Sequence, residues 1–264
     1  YGCKTPSGVP VRIQLLGQSP DWLAENALTA TRLGSPGIDL NFGCPAKLVN
    51  KNKGGAILLR EPETLYKIAK NVRDAVPSEL PVTAKMRLGY EDKSLALENA
   101  QALAEGGIAE LAIHARTKTE GYRPPAYWDW IYKIKQSVDL PITANGEIWT
   151  AEDAINCQQQ SGCNNLMLGR GALAIPNLAN WIKGNDDKMS WLQLLELLLE
   201  YSRYEIEGDK GLYYSNRIKQ WLNYIKLQYP EAKELFLQVR KIMNTQDMFA
   251  AIESHCEQAL GSIA

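Results

Sequence analysis

Reactive side chains stand within or directly after short apolar runs of this sequence. Cys44 follows one such run in a loop shaped by Gly43 and Pro45, Lys85 lies within another run, and His114 ends a third. A cysteine thiol has an ordinary pKa of about 8.5 and is mostly protonated at neutral pH. Cys44 therefore suits a general acid better than a nucleophile.

The lysines predict an anionic ligand near the cysteine loop. An apolar strand does not tolerate an unpaired ammonium, so Lys85 predicts either charge neutralisation of a cofactor or Schiff-base chemistry. No acidic residue occurs from 44 to 60, whereas Lys47, Lys51 and Lys53 do. This positive field would draw an anion to the loop.

Two segments that contain glycine, 145–147 and 169–171, follow further apolar runs. In a parallel α/β barrel the last two strand loops commonly hold a phosphate, because glycine permits close backbone approach and free amides point at the anion. Arg170 would add a charge-assisted bidentate contact. The pattern predicts a phosphate site, although tight turns alone would explain either loop.

Short apolar segments alternate with helical patterns over the first two thirds of the chain. Strands are predicted at 11–16, 37–41, 81–88, 110–115, 140–145 and 165–169. Helices are predicted at 20–33, 61–75, 95–105, 128–137, 150–160 and 174–181. Near-continuous apolar strands, each followed by a helix, predict a parallel sheet covered by helices and hence an α/β fold.

This α/β pattern fits a closed (β/α)8 TIM barrel better than an open doubly wound sheet. The first strand-to-helix turn contains only Gly17, where a dinucleotide fold needs several glycines. Polar or functional residues instead lie at or next to the C-terminal end of every predicted strand, as a barrel active site requires. Only six strand units occur, so residues 1–185 are expected to form a barrel domain whose first two strands are absent from this chain.

The remaining residues, 186–264, are predicted to form a C-terminal helical bundle domain. Its helices are predicted at 190–207, 211–228, 230–243 and 245–260. Ser190 and Thr245 have the residue types of N-caps, and Gly208 and Pro230 have those of helix ends.

One helix of this domain combines an apolar stripe with a basic and aromatic face. At about 100° per residue the apolar stripe holds Ile218, Leu222 and Ile225. The neighbouring face holds Arg217, Gln220, Trp221 and Tyr224, and it is expected to be surplus to packing. Arginine for phosphate and aromatic rings for stacking predict RNA binding, with a packed amphipathic face as the alternative.

Composition excludes several classes of protein. The 264 residues include 45% hydrophobic and 22% charged residues, which is too apolar for a disordered chain. A net charge of −1 excludes a uniformly basic nucleic-acid coat, so any RNA surface must be local. No apolar run is long enough for a membrane span, and the five cysteines and two histidines have no metal-ligand spacing. We expect a cytoplasmic monomer without a metal or a membrane contact.

The strand-end motifs resemble, in order along the chain, those of the tRNA-dihydrouridine synthases. The matching segments are 11–17, 39–45, 85–89, 114–117, 145–148 and 169–173, and the most specific of them contains Asn41-Phe42-Gly43-Cys44-Pro45. The segment 211–224 is most similar to the bacterial C subfamily, which reduces the sixteenth nucleotide of tRNA. The resemblance covers essentially the whole chain.

The resemblance implies reduction of the C5–C6 double bond of a D-loop uridine to dihydrouridine, with FMN as cofactor and NADPH as reductant. It implies that hydride passes from flavin N5 to C6, that Cys44 protonates C5, and that Lys85 stabilises the charge of reduced flavin. The implied cofactor residues are Gln14, Lys85, His114, Asn145, Gly146, Glu147, Gly169 and Arg170. The implied substrate and tRNA residues are Asn41, Arg87, Arg116, Arg217, Lys219, Trp221, Tyr224 and Arg240. Asn41, His114 and Arg116 would position the flipped-out base.

Three other interpretations of the residues stay open. A flavoprotein of the dihydroorotate dehydrogenase type would act on free pyrimidine, and it has no use for an RNA-binding helical domain. A Schiff-base aldolase would use Lys85 and be colourless. A non-catalytic RNA-binding module would follow if a barrel without its first two strands did not retain flavin.

Overall fold

The computed structural model describes residues 3–5, 7–204 and 213–261. The chain divides into two compact units. The first comprises Tyr1–Glu147 and Ile155–Met167, and the second comprises Ile148–Ala154 and Leu168–Ala264. Within the described ranges, no helix has the length and apolar character that crossing a membrane requires.

The first unit contains a six-stranded sheet in which every pair of neighbours is parallel. Its strands are β1 (Ile13–Leu15), β2 (Ile38–Phe42), β3 (Val82–Arg87), β4 (Glu110–His114), β5 (Ile142–Asn145) and β6 (Asn165–Met167). Each strand pairs with the next one along the chain. This sequential order confirms the α/β barrel type of connection, because a doubly wound sheet reverses its strand order at a switch point.

Helices connect these strands, and five of the six described α-helices lie at nearly the predicted positions, whereas the helix at Lys47–Lys51 and the 3-10 helix were not predicted. The helices are α1 (Pro20–Arg32), α2 (Lys47–Lys51), α3 (Pro62–Ala75), α4 (Ala96–Glu105), α5 (Trp128–Lys135) and α6 (Ala151–Ser161), with a 3-10 helix at Gly55–Arg60. α1 begins where predicted because the Ser19 hydroxyl accepts a hydrogen bond from the Trp22 amide at 3.4 Å and Pro20 occupies the first turn.

The two faces of the sheet differ in polarity. Ile38, Leu40 and Phe42 of β2 are buried with their register partners on β3 and form part of the hydrophobic core. Successive side chains of a strand point to opposite faces. The intervening residues of β2, Asp39 and Asn41, therefore lie on the other face, which carries the polar side chains.

The second unit is helical in the part that the structure describes. Its helices are α7 (Arg170–Ala174), α8 (Leu178–Ile182), α9 (Trp191–Glu200), α10 (Tyr213–Ile225), α11 (Glu231–Val239) and α12 (Thr245–Gly261), and a 3-10 helix follows α9 at Tyr201–Tyr204. The prediction of one helix at 174–181 is wrong, because Pro176 cannot continue a helix and separates α7 from α8.

The predicted helix ends of this unit have mixed outcomes. Ser190 caps α9 in a capping box, as predicted. At α12, which begins at Thr245, Asn244 Oδ1 accepts a hydrogen bond from the Asp247 amide at 2.8 Å, so Asn244 stands in the N-cap position, one residue before the predicted Thr245. Pro230, predicted as a helix end, lies after the end of α10 at Ile225 and directly precedes α11, whereas Gly208 lies outside the described residues.

A buried cluster explains why the residues that follow β6 belong to the second unit. Ile175 and Leu178, which flank Pro176, belong to the same hydrophobic cluster as Leu194, Ile218 and Ile252. The short helices after β6 are therefore part of the core of the second unit. The functional division into 1–185 and 186–264 stays a prediction.

Candidate active site

The polar face of the sheet brings six predicted site residues of the first unit together. Asn41 of β2 is the register partner of Lys85 on β3, and Gln14 of β1 is the partner of Asp39. Two residues after Lys85, Arg87 of β3 pairs in register with His114 of β4, which pairs with Asn145 of β5. Because the strands are parallel, the last of these rows lies at the carboxyl edge, where barrel enzymes have their active sites.

Cys44 lies in the loop directly after β2, and hydrogen bonds to backbone carbonyls hold this loop in place. The Cys44 carbonyl accepts hydrogen bonds from the Ala56 amide at 3.1 Å and from Asn50 Nδ2 at 3.0 Å. One residue earlier, the Gly43 carbonyl accepts a bond from Arg87 Nε at 2.9 Å. Cys44 is partly exposed, and its thiol forms no hydrogen bond to a described residue. The thiol is therefore available to a ligand while the backbone is held in place.

Arg87 ties the cysteine loop to the loop after β4. Its side chain is 1% exposed, and its Nη1 donates to the carbonyls of Thr117 at 3.1 Å and Gly121 at 2.9 Å. The guanidinium also lies 5.3 Å from the centre of the Tyr122 ring, and burial lowers the pKa of Arg87. These bonds give Arg87 a structural role, and its contact with substrate stays a prediction.

Lys85 is a half-buried ammonium beside the cysteine loop. Its Nζ lies 3.5 Å from the place that a β-carbon of Gly43 would occupy, and it forms neither a hydrogen bond nor an ion pair with a described residue. Desolvation, helped by the charge of Arg87, lowers the pKa of Lys85 to about 8, and Asp39 opposes that change. An ammonium without a contacting carboxylate fits the anionic part of a cofactor such as a flavin.

Arg116 connects the loops after β4 and β5. It is completely buried, its Nη2 pairs with the Glu147 carboxylate, and its Nε donates to the Pro125 carbonyl at 3.1 Å. Its Nη1 lies 3.5 Å from Nε2 of His114, whose ring centre lies 5.9 Å from that of Tyr122. The predicted contacts of Arg116 and His114 with the base stay predictions.

The loop after β5 has a conformation that requires glycine. Gly146 has φ 122°, and a β-carbon there would lie 2.9 Å from Cδ2 of His114. The Gly146 carbonyl accepts a bond from Trp128 Nε1 at 2.9 Å, and Asn145 Nδ2 donates to the Met167 carbonyl at 2.7 Å. A side chain at 146 would be strained and would displace the histidine.

Gly169 and Arg170 belong to the second unit. A β-carbon at Gly169 would meet no atom within 4 Å, and Arg170 begins α7 with its guanidinium 4.9 Å from the centre of the Trp149 ring. The open backbone and the arginine are compatible with an anion. Their predicted role at the flavin phosphate stays a prediction.

The basic residues predicted to contact tRNA differ in their availability. Arg217 is exposed, with its Nη1 2.9 Å from Gln220 Oε1, and Arg240 is exposed at the end of α11. Lys219 instead donates its Nζ to the Ile242 carbonyl at 2.9 Å. Arg217 and Arg240 therefore remain the stronger candidates for phosphate contacts.

The aromatic part of this face packs within the second unit. Trp221 donates its indole N–H to the Leu173 carbonyl at 2.7 Å and meets the Tyr201 ring edge-on at 5.7 Å. The expectation that the whole face is surplus to packing is therefore wrong for Trp221, which is partly buried against the core cluster. Tyr224 is also partly buried. That either ring contacts tRNA stays a prediction.

Sequence reasoning assigned no role to three side chains that shape the site. Asp39 contacts Gln14, Tyr122 covers Arg87 and His114, and Trp128 holds Gly146. A carboxylate in the middle of an apolar strand was a signal for Asp39, whereas nothing in the local pattern distinguished Tyr122 or Trp128. Among the described residues, no group of three or more His, Cys, Asp or Glu side chains could hold a metal ion.

Comparison with known proteins gives the family. The family model described as Dihydrouridine synthase (Dus) matches residues 3–260. The tRNA-dihydrouridine(16) synthase of Shewanella oneidensis is 53% identical over 252 residues, which cover 96% of this chain and 80% of that protein. The proteins of the same name from Vibrio vulnificus and Escherichia coli are 49% and 50% identical, over 97% and 95% of this chain and 81% and 80% of theirs. The chain belongs to the dihydrouridine synthase family of oxidoreductases that act on tRNA uridine.

Proposed function

We propose that this protein reduces uridine 16 in the D-loop of tRNA to dihydrouridine, with FMN as cofactor and NADPH as reductant. The names and identities of the relatives support the position of the uridine. The observation that carries the chemistry is the partly exposed Cys44 in a fixed loop beside the ammonium of Lys85, to which the described residues give neither a hydrogen bond nor an ion pair.

The residues of the polar face fit a flavin. Gln14 and Asn41 offer amide donors and acceptors to the edge of a ring, and Lys85 offers a positive charge. Asn145 and Gly146, at the carboxyl edge of the same face, would lie on the phosphate side of the flavin. When bound, reduced FMN supplies the hydride that adds to C6 of the uracil ring.

The protein supplies the second hydrogen. Cys44 would donate its thiol proton to C5 on the face opposite the hydride, and solvent would return a proton to the thiolate. Asn41, His114 and Arg116 would orient the base. Arg116 acts with a fixed geometry because Glu147 and the Pro125 carbonyl already hold it. General acid catalysis of this kind contributes about 10²- to 10⁴-fold.

Exposed positive charge near the site and on α10 supports a tRNA partner. Lys47 and Lys51 are exposed on α2, directly after the cysteine loop, and Arg217 is exposed on α10. Such residues would contact phosphates while the target base is flipped out of the folded RNA. The protein would act as a cytoplasmic monomer.

The test compares tRNA from cells that lack the gene with tRNA from the same cells that carry the wild-type gene or the Cys44→Ala variant. Primer-extension mapping and mass spectrometry should find uridine at position 16 in the strain that lacks the gene and in the strain that carries Cys44→Ala. They should find dihydrouridine only in the strain that carries the wild-type gene. Unchanged dihydrouridine 16 in the deletion strain would refute the proposed position, and full rescue by Cys44→Ala would refute the proposed acid.

A further inference from the structure

A continuous chain of hydrogen bonds crosses the polar face from β3 to the cysteine loop. Thr83 Oγ1 donates to Asp39 Oδ1 at 2.7 Å, and Gln14 Nε2 donates to Asp39 Oδ2 at 2.6 Å. Asn41 Nδ2 donates to Gln14 Oε1 at 2.8 Å. The chain ends where the Gly43 amide donates to Asn41 Oδ1 at 2.9 Å.

The two ends of this chain fix the orientation of both amide side chains. An ionised carboxylate only accepts hydrogen bonds, so Gln14 must present its NH2 group to Asp39 and its oxygen to Asn41. The backbone N–H of Gly43 only donates, so Asn41 must present its oxygen to Gly43 and its NH2 group to Gln14. Both requirements make Asn41 the donor and Gln14 the acceptor in the bond between them, as the structure has it.

Asp39 also sets the charge balance on the same face. Lys85 is the register partner of Asn41, two residues after Asp39 on the neighbouring strand. The positive charge of Arg87 lowers the pKa of Lys85, and the negative charge of Asp39 raises it. Asp39 is therefore the carboxylate that offsets the positive charge of Arg87 at this lysine.

We propose that Asp39 is a positioning residue of this site, which orients the amides of Gln14 and Asn41 and supplies the negative charge that faces Lys85. The effect of Asp39 on flavin binding and on base reduction rests on the proposed function. The orientation and the charge effect are properties of the protein itself and can be measured without flavin turnover or tRNA.

The test measures the titration of Lys85 in the purified full-length protein. The rate at which an acylating reagent modifies Lys85 is followed against pH by peptide mass spectrometry. In Asp39→Asn, the apparent pKa of Lys85 should fall by about one unit, because an opposite charge nearby shifts a pKa by about one to three units. Thr83→Val is the matched control, because it removes one hydrogen bond to Asp39 and keeps the charge. Asp39→Glu should keep the wild-type titration.

A Lys85 titration that is the same in Asp39→Asn and in wild type would overturn the charge role. If Asp39→Asn does not fold, NMR of side-chain amides in Asp39→Glu tests the orientation role, because this variant keeps the charge and moves the carboxylate. The resonances of Gln14 and Asn41 should move together, and resonances that stay in place would overturn the orientation role. Neither readout depends on dihydrouridine formation, so a failure of the proposed function would be seen separately.

Discussion

The ammonium of Lys85 should weaken the fold of the flavin-free protein at neutral pH. Its pKa falls from 10.5 to about 8 because burial disfavours the charged form. The unfolded chain then binds more protons than the folded chain between these two values, so the free energy of unfolding rises with pH in that window. A pKa difference of that size lowers the free energy of unfolding by about 3 kcal/mol. This destabilisation is fully present below about pH 8 and is lost as the pH approaches 10.5.

Two substitutions isolate this effect from the other groups that titrate. Lys85→Met has no charge at any pH, and Lys85→Arg keeps its charge throughout. The free energy of unfolding of wild type minus that of either variant should therefore rise by about 2 to 3 kcal/mol between about pH 7 and pH 10. Groups common to all three proteins cancel in these differences.

Urea unfolding at constant ionic strength measures the differences. Because the chain has two compact units, hydrogen exchange of peptides from β3 and β4 should accompany the spectroscopic signal and report on the first unit. Differences that stay constant over this pH range would refute the conclusion that Lys85 is desolvated and without a contacting anion.

Three further predictions concern the reaction, the loop after β5 and tRNA binding. Cys44→Ala should slow base reduction by about 10²- to 10⁴-fold and leave flavin reduction by NADPH unchanged in stopped-flow absorbance; equal loss of both steps would contradict the general-acid role. Gly146→Ala should lower the free energy of unfolding by about 1 to 3 kcal/mol in urea titration, because φ is 122° and His114 lies in the way, whereas Gly184→Ala, with open space around the added carbon, should cost less. Arg217→Ala should weaken tRNA binding and reduce the slope of log affinity against log salt by about one in filter-binding assays; an unchanged slope would exclude a phosphate contact.

The sheet could be predicted from the sequence because its strands are short, nearly continuous apolar segments. The predicted segment 37–41 became β2 at Ile38–Phe42, and 81–88 became β3 at Val82–Arg87. Helix ends were predictable where a side chain caps them, as Ser190 does. Pro176 was a visible break inside the predicted helix 174–181, and its effect is local enough to have been foreseen.

The partners of individual side chains could not be predicted from the sequence, because they are tertiary contacts. The face position of Trp221 indicates an exposed ring, but its indole N–H bonds to Leu173, 48 residues away. The carbonyl groups that occupy the donors of Arg87 also come from distant loops. Periodicity places a residue on a helix face or a strand face, but it does not identify what packs there.

The most direct test of the central claim uses the purified protein, FMN, NADPH and an unmodified tRNA transcript. Mass spectrometry of nuclease fragments should find that a single D-loop uridine, at position 16, gains the mass of two hydrogen atoms, and that free uridine and uracil stay unchanged. Reduction of the free pyrimidines, or a transcript whose mass does not change although the protein carries reduced flavin, would contradict the account.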